Sequence, residues 1–251
     1  MTLFLKANWE NIIMVNYQID PEILMPYLPK GLQLDLYQGK AYISLVGFMF
    51  KDTKIFNVPT FKLGTFEEIN LRFYVSRKVG NETRRGVVFI NETVPYKAVA
   101  WLANALYKEH YTVVPTKHSI SKDDVNQKIK FDWKLDKKWY SIYVESRLSS
   151  QPMQADSFEK FIYEHYYGYT KVSDNKTEGY RLHHPSWKIH EVVDYEVICD
   201  FKAMYGESFS VLNETKPEAV FIAKGSSVAI EWKRQKIDTT NERSKKTKLT
   251  K

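Results

Sequence analysis

Glu68, Arg72 and Tyr74 are the residues whose types and spacing could do chemistry, because they share one face of a predicted strand. Side chains two positions apart in a strand point the same way. The alternating apolar positions are Ile69, Leu71, Phe73 and Val75. Arginine binds carboxylates through two parallel hydrogen bonds, and glutamate can accept a proton or a hydrogen bond. The pattern predicts contact with a small anionic or polar ligand.

A structural interpretation of the same residues is also open. Glu68 and Arg72 could form a buried ion pair that only anchors the strand. They are four positions apart, about 13 Å along an extended strand, so direct pairing would require a bulge or a long reach. Ligand contact and structural anchoring are therefore both retained.

Standard signatures of cofactor and metal chemistry are absent from the sequence. It contains no glycine-rich phosphate loop, no His-Glu-x-x-His motif and no Gly-x-Ser-x-Gly elbow. The histidines cluster only at His183, His184 and His190, and neighbouring strand residues point to opposite faces, which favours structural roles over metal ligation. The single cysteine, Cys199, excludes a multi-cysteine metal site. We expect neither a metal nor a cofactor.

The elements that must position these residues are mostly strands with two-residue periodicity. Strands are predicted at residues 12–17, 32–36, 41–50, 68–76, 87–90, 128–135, 140–144, 187–200 and 218–232. Helices are predicted from the N-cap Asp20 to about Pro29, from Pro95 through Leu106, and from Asp156 to about Tyr166. This order predicts an α+β fold of mainly antiparallel sheet, curled into a barrel or cone.

The formal net charge of +7 is concentrated at the C-terminus, since residues 233–251 carry +6 of it. We therefore expect one domain over residues 1–235 and a basic, disordered tail over residues 236–251. The tail contains no aromatic or Gly-Arg interleaving, so nucleic-acid binding is disfavoured.

No segment of the sequence has the features of a signal peptide or a spanning helix. Lys6 and Asn8 interrupt the N-terminal apolar residues, and no window approaches the roughly 18 apolar residues that a spanning helix needs. We expect a cytoplasmic protein with no membrane partner, and a homo-oligomer is left open.

Several segments resemble the YqjF-like family of uncharacterised bacterial proteins. They are Asn8 to Glu10, Asp20 to Asp35, Ala41 to Phe48, Glu68 to Val75, Gly86 to Phe89 and His183 to Trp187. That family is similar in turn to acetoacetate decarboxylase, whose fold is a cone-like antiparallel barrel around a small pocket. The resemblance implies the same cone or barrel here, with a few short helices.

The resemblance also implies where a catalytic amine would stand. Acetoacetate decarboxylase forms a Schiff base with a β-keto acid through a lysine that an adjacent lysine helps to deprotonate. The resemblance places Tyr111 and Thr112 at those two positions. Lys117 is a displaced candidate nucleophile, although a solvated surface lysine is favoured. Schiff-base decarboxylation is therefore disfavoured.

Other pocket positions of that enzyme are only partly kept. Glu68 matches an acidic pocket residue, whereas a second pocket glutamate is replaced near Ser44 or Leu45 and the pocket arginine falls near Trp9. The resemblance therefore implies the fold more firmly than the reaction.

The sequence predicts a small-molecule-binding barrel with Glu68, Arg72, Tyr74 and Tyr111 as ligand contacts. An enzymatic form would act on a small anionic or carbonyl compound. Its candidate catalytic residues are Glu68, Tyr111 and Lys117, with Glu68 as general acid or base. The alternative is a non-catalytic interaction protein whose basic tail binds acidic partners.

Overall fold

The computed structural model of the protein describes residues 2–107 and 110–238, without the side chains at 62, 106, 107 and 238. The strands are β1 (Leu3–Ile19), β2 (Gln33–Leu34), β3 (Ala41–Ile55), β4 (Val58–Pro59), β5 (Phe66–Val79), β6 (Glu82–Val94), β7 (Tyr111–Val113), β8 (Thr116–Lys122), β9 (Asn126–Leu135), β10 (Lys138–Pro152), β11 (Tyr167–Ser173), β12 (Lys176–His183), β13 (Lys188–Ile198), β14 (Ala219–Glu231) and β15 (Gln235–Asp238). The helices are α1 (Pro21–Leu24), α2 (Lys97–Tyr107), α3 (Phe158–Tyr163) and α4 (Phe201–Tyr205), with 3₁₀ turns at Met25–Tyr27, Phe61–Leu63 and Glu207–Asn213. None of the helices within these ranges has the length and apolar character needed to cross a membrane.

Seven of the strands close into a barrel. Neighbouring strands are hydrogen-bonded in the order β12-β11-β6-β5-β3-β1-β14. The ring closes where β14 pairs with β12, at Leu182 with Ile230 and at His183 with Ala229. All of these pairings are antiparallel except that of β6 with β11. Closure pairs the strand edges and gives the sheet an interior.

The remaining long strands cover the outside of this barrel. Strands β13, β10, β9 and β8 continue the sheet beyond β14, and their apolar side chains pack against β1, β3 and β5. The fully buried residues of this layer include Ile13, Leu45, Leu71, Phe131 and Trp133. Strand β5 is therefore buried on both faces, with Leu71 towards the outer layer and Arg72 towards the barrel interior.

The predicted fold class is confirmed: the protein is mainly antiparallel sheet with a few short helices. Every residue from Ala41 to Phe50 is buried, as expected for a strand covered on both faces. The strands predicted at 128–135 and 140–144 also form, and they pair as a hairpin with Trp133 of β9 opposite Tyr140 of β10.

Three predicted elements are shorter than expected. Asp20 does cap the first helix, accepting from the Glu22 amide at 3.0 Å, but α1 ends at Leu24 and continues only as a 3₁₀ turn. Pro26 explains this, because proline has no amide hydrogen for a further α-helical turn.

The strand predicted at 32–36 is present only as the two-residue strand β2. Helix α3 is capped by Ser157 instead of Asp156 and ends at Tyr163, not Tyr166.

The predicted start of the disordered tail is three residues too early. Residues 235–238 form β15, which pairs with β12, and Ile237 is buried in the outer core. A single apolar side chain among polar and charged neighbours is sufficient for strand formation here, because the edge of β12 offers unpaired backbone groups. The rest of the predicted tail, residues 239–251, lies outside the described residues.

Gly225 of β14 should be irreplaceable, because it combines a left-handed backbone with a crowded neighbour. Its φ is +83°, and an added Cβ would lie 1.9 Å from the carbonyl oxygen of Trp9. Gly39 has a similar φ of +80° but nothing within 4 Å. We expect Gly39→Ala to cost about 1 kcal/mol and Gly225→Ala about 2 kcal/mol more through overpacking. Urea unfolding of both variants measures the difference, and equal losses would contradict the close approach.

Candidate ligand-binding site

The barrel encloses an inner cavity of about 60 Å³. Its polar lining includes Glu68, Asn70, Arg72, Glu92, Tyr111 and His165. These side chains come from β5, β6, β7 and the segment that follows α3. A cavity of this size holds about four water-sized groups, so it suits the polar head group of a small molecule.

Arg72 is the dominant charge of this cavity. The residue is 9 % exposed, and its guanidinium forms no ion pair with any described residue. One Nη lies 3.5 Å from Met14 Sδ, and Nε has no hydrogen-bond partner. A buried cation without a counterion is costly. The Glu68–Arg72 ion pair considered from the sequence is not formed, and the guanidinium is available to an anion.

A second donor faces the same cavity from β1. The indole Nε1 of Trp9 is buried and has no hydrogen-bond partner in the structure. The ring is held in place by Phe48 and Phe50, with ring centroids 4.8 and 5.6 Å away. Trp9 and Arg72 both line the cavity, so two side chains with an unpartnered N–H donor border one small space.

Two carboxylates line the cavity, and each receives a hydrogen bond. Asn70 Nδ2 donates to Glu68 Oε1 at 3.0 Å, and the Tyr111 hydroxyl donates to Glu92 Oε1 at 2.7 Å. Tyr111 is positioned by the parallel pairing of β7 with β6. The hydroxyl predicted to contact a ligand is thus directed at Glu92.

His165 is held in one orientation by a hydrogen bond to Asp35. Its Nε2 lies 3.1 Å from Asp35 Oδ2, and the same oxygen accepts from Arg85 Nε at 2.6 Å. Burial would raise the pKa of Asp35, but the hydrogen bonds from His165 and Arg85 outweigh it and hold that pKa below its usual value. Burial lowers the pKa of His165 to about 4. The imidazole is therefore neutral at physiological pH, with its proton on Nε2 and a lone pair on Nδ1.

Tyr74, a predicted ligand contact, is not among the described residues that line the inner cavity or the outer chamber. Its hydroxyl lies 2.5 Å from Ser44 Oγ, which donates to Asn16 Oδ1 at 2.6 Å. Burial raises the pKa of Tyr74, and the positive charge of Arg72 opposes the rise. The centroid of the Tyr74 ring lies 4.7 Å from that of the His165 ring, so Tyr74 packs against the imidazole of His165.

Lys117, the displaced candidate nucleophile, lies outside the cavity. It is exposed on β8, and its Nζ sits 4.5 Å from the ring centre of Trp139. Thr112, at the other position where the resemblance would place a lysine, accepts a hydrogen bond from Asn91 at 2.8 Å. No lysine is among the described residues that line the inner cavity or the chamber next to it.

The histidines of the C-terminal cluster have separate structural contacts. His183 pairs with Glu231 at 2.7 Å, and the ring of His184 stacks on Trp187 with centroids 4.1 Å apart. His190 donates to the carbonyl oxygen of Arg147 at 2.9 Å. Within the described residues, no three His, Cys, Asp or Glu side chains are arranged to hold a metal ion.

An apolar outer chamber of about 200 Å³ adjoins the inner cavity. Glu68, Tyr111 and Tyr180 line both spaces. Helix α2 covers the outer chamber with Ala98, Val99, Leu102 and Ala103. The combined site is therefore amphipathic, with a polar inner end and an apolar outer end.

Sequence reasoning missed Glu92 because of a β-bulge. In the ladder between β5 and β6, Leu71 pairs with Asn91 and Arg72 pairs with Phe89, which leaves Ile90 as an extra residue. A bulge reverses which side chains face inward beyond it. Simple alternation from Phe89 would point Asn91 into the barrel, whereas the structure places Glu92 there.

The family assignment follows from comparison with known proteins. The DUF2071 family, described as an uncharacterized conserved protein, matches residues 6–227. The chain belongs to this family. It is also similar to the uncharacterized protein YqjF of Bacillus subtilis (strain 168), with 25% identity over 186 residues, which cover 73% of this chain and 74% of that protein. The resemblance found in the sequence is thereby confirmed.

Solved structures show which fold the DUF2071 chain adopts. An acetoacetate decarboxylase-like enzyme from Sphingomonas wittichii RW1 superposes with a TM-score of 0.62 at 10% identity, covering 95% of this chain and 94% of that chain. Acetoacetate decarboxylase from Legionella pneumophila gives 0.60 at 10% identity, covering 92% and 87%. The enduracididine biosynthesis enzyme MppR, complexed with pyruvate, gives 0.59 at 10% identity, covering 94% and 91%. At such identities the shared property is the fold.

Replacing Arg72 by methionine should stabilise the ligand-free protein. Arg72→Met removes a desolvated cation that has no counterion, and we expect the free energy of unfolding to rise by about 1–3 kcal/mol. Arg77→Met, on the partly exposed end of β5, should change it by less than about 0.5 kcal/mol. Chemical denaturation compares the two. A marked loss of stability in Arg72→Met would show that the guanidinium has a structural role instead.

His165 should make the protein less stable as the pH falls. Its folded pKa of about 4 lies below the usual value of about 6.5, so between these values the unfolded chain binds a proton that the folded chain does not. Above pH ~6.5 the neutral His165 imposes no loss on the free energy of unfolding. As the pH falls to ~4, that free energy decreases by an amount on the order of 3 kcal/mol.

Unfolding measured between about pH 7 and pH 4 tests this pH dependence. The stability of His165→Gln should fall less steeply than that of the native protein. His110→Gln, at an exposed position, should follow the native curve. Parallel curves for all three proteins would exclude a buried neutral His165.

Proposed function

We propose that this DUF2071 protein binds a small organic carboxylate by noncovalent contacts inside the barrel. The carboxylate would lie against the guanidinium of Arg72, and the apolar remainder would occupy the outer chamber. The observation that carries the proposal is the buried guanidinium of Arg72, whose Nε has no hydrogen-bond partner and which forms no ion pair among the described residues. A bound anion would remove the cost of its burial.

The shape and chemistry of the site support this orientation of the ligand. The donors of Arg72 and Trp9 face the inner cavity of about 60 Å³, whereas the outer chamber of about 200 Å³ is mostly apolar. A carboxylate at the inner end and a short hydrocarbon chain at the outer end would match both spaces. Glu68 lines both, so any acid–base chemistry would act where the head group joins the chain.

The mode of binding would differ from Schiff-base formation. An imine needs a neutral amine within reach of the ligand carbonyl, and the described lining of both spaces contains no lysine. A carboxylate ligand is consistent with the structurally similar enzyme MppR, one structure of which is a complex with pyruvate, itself a carboxylate.

A series of straight-chain carboxylates from acetate to octanoate tests the proposal by isothermal titration calorimetry. We expect affinity to rise about fourfold for each added methylene until the outer chamber is full. Arg72→Met should abolish binding of every member. The matched primary alcohols should bind at least tenfold more weakly, because they lack the charge that pairs with Arg72. Equal binding of acids and alcohols would overturn the proposal.

Two further experiments distinguish this function from the alternative functions. Removal of residues 239–251 leaves β15 in place and should not change carboxylate binding, whereas an interaction protein acting through its basic tail would lose its acidic partners. Borohydride treatment with a β-keto acid should leave the protein unlabelled. Covalent labelling of any lysine would restore imine chemistry and contradict the noncovalent mode.

A further inference from the structure

The hydrogen bond between His165 and Asp35 specifies a second chemical group of the ligand, in addition to the carboxylate that Arg72 specifies. Nε2 of His165 donates to Asp35, so the opposite nitrogen, Nδ1, carries the lone pair. Nδ1 is buried and has no hydrogen-bond partner in the described part of the chain. His165 is 5 % exposed and lines the inner cavity together with Arg72. The cavity therefore offers a fixed acceptor as well as a cation.

Asn70 supplies a second acceptor beside the first. Its Nδ2 donates to Glu68 at 3.0 Å, which turns Oδ1 away from that bond, and Oδ1 is buried without a partner. A buried acceptor that is left unsatisfied destabilises the folded protein. A ligand that carries only a carboxylate would engage Arg72 and leave both acceptors unsatisfied.

We propose that the ligand is a hydroxycarboxylate, whose hydroxyl donates to Nδ1 of His165 while its carboxylate binds Arg72. This inference rests on the proposed function and names the substrate class of the same site. The inner cavity is so small, about 60 Å³, that the hydroxyl must lie two or three carbons from the carboxylate carbon at most.

We take the donor to be a hydroxyl group, which donates without adding charge. An ammonium group is the competing donor, because the carboxylates of Glu68 and Glu92 also line the cavity, and 2-aminohexanoate tests it below. A keto group has no proton to donate to Nδ1.

Isothermal titration calorimetry with six-carbon ligands tests this selectivity. The probes are hexanoate, 2-hydroxyhexanoate, 3-hydroxyhexanoate, 2-oxohexanoate and 2-aminohexanoate. We expect one of the hydroxy acids to bind at least tenfold more tightly than hexanoate, 2-oxohexanoate and 2-aminohexanoate. The imidazole NMR signals of His165 should shift with the hydroxy acid and stay in place with hexanoate.

Substitutions at position 165 identify the group responsible. His165→Phe should lose the tenfold preference for the hydroxy acid over hexanoate, whatever the change in hexanoate affinity itself. His165→Gln keeps a side-chain acceptor and should retain part of that preference even if His165→Phe does not fold. His110→Gln should preserve it fully.

The possible failures are distinguishable. If no carboxylate binds, the proposed function itself is wrong. If hexanoate binds in an Arg72-dependent way but neither hydroxy acid is preferred, only the assignment to hydroxycarboxylates is overturned. Preference for 2-aminohexanoate would overturn it as well, in favour of an amino acid.

Discussion

The pairing of β12 with β14 is the contact on which the rest of the structure depends. It consists of only two residue pairs, Leu182 with Ile230 and His183 with Ala229, yet it turns a sheet into a closed barrel. The inner face of β5 consequently becomes the wall of an enclosed space. Removed from water, the charge of Arg72 acts over a lower dielectric, which strengthens its electrostatic interactions and raises the cost of burying it without an ion-pair partner.

The barrel interior combines satisfied and unsatisfied polar groups in neighbouring positions. Ser44 links the Tyr74 hydroxyl to Asn16, so this group of buried atoms is paired internally. Nε of Arg72 and Nδ1 of His165 belong to side chains that line the inner cavity, and neither atom has a hydrogen-bond partner among the described residues. Buried polar groups are normally hydrogen-bonded, so these two atoms are costly to the folded protein.

The same barrel can support different chemistry when a single position changes. By resemblance, Tyr111 and Thr112 stand where acetoacetate decarboxylase has its lysines. Tyr111 donates to Glu92 at 2.7 Å, and so a tyrosine–carboxylate pair occupies this part of the wall. Solved structures that share about a tenth of the sequence reproduce the fold, so this architecture is kept at very low sequence identity.

The sequence by itself determined the fold class and the common face of Glu68 and Arg72, because the two-residue period of a strand follows from backbone stereochemistry. It also indicated that the amine is missing. Only the tertiary structure decided that Glu92 faces inward, since the bulge at Ile90 reverses the alternation. It alone brought His165 to Asp35, 130 positions away. It also placed residues 236–238 in strand β15. Bulges and distant pairings are set by packing between elements, and local residue patterns carry no record of that packing.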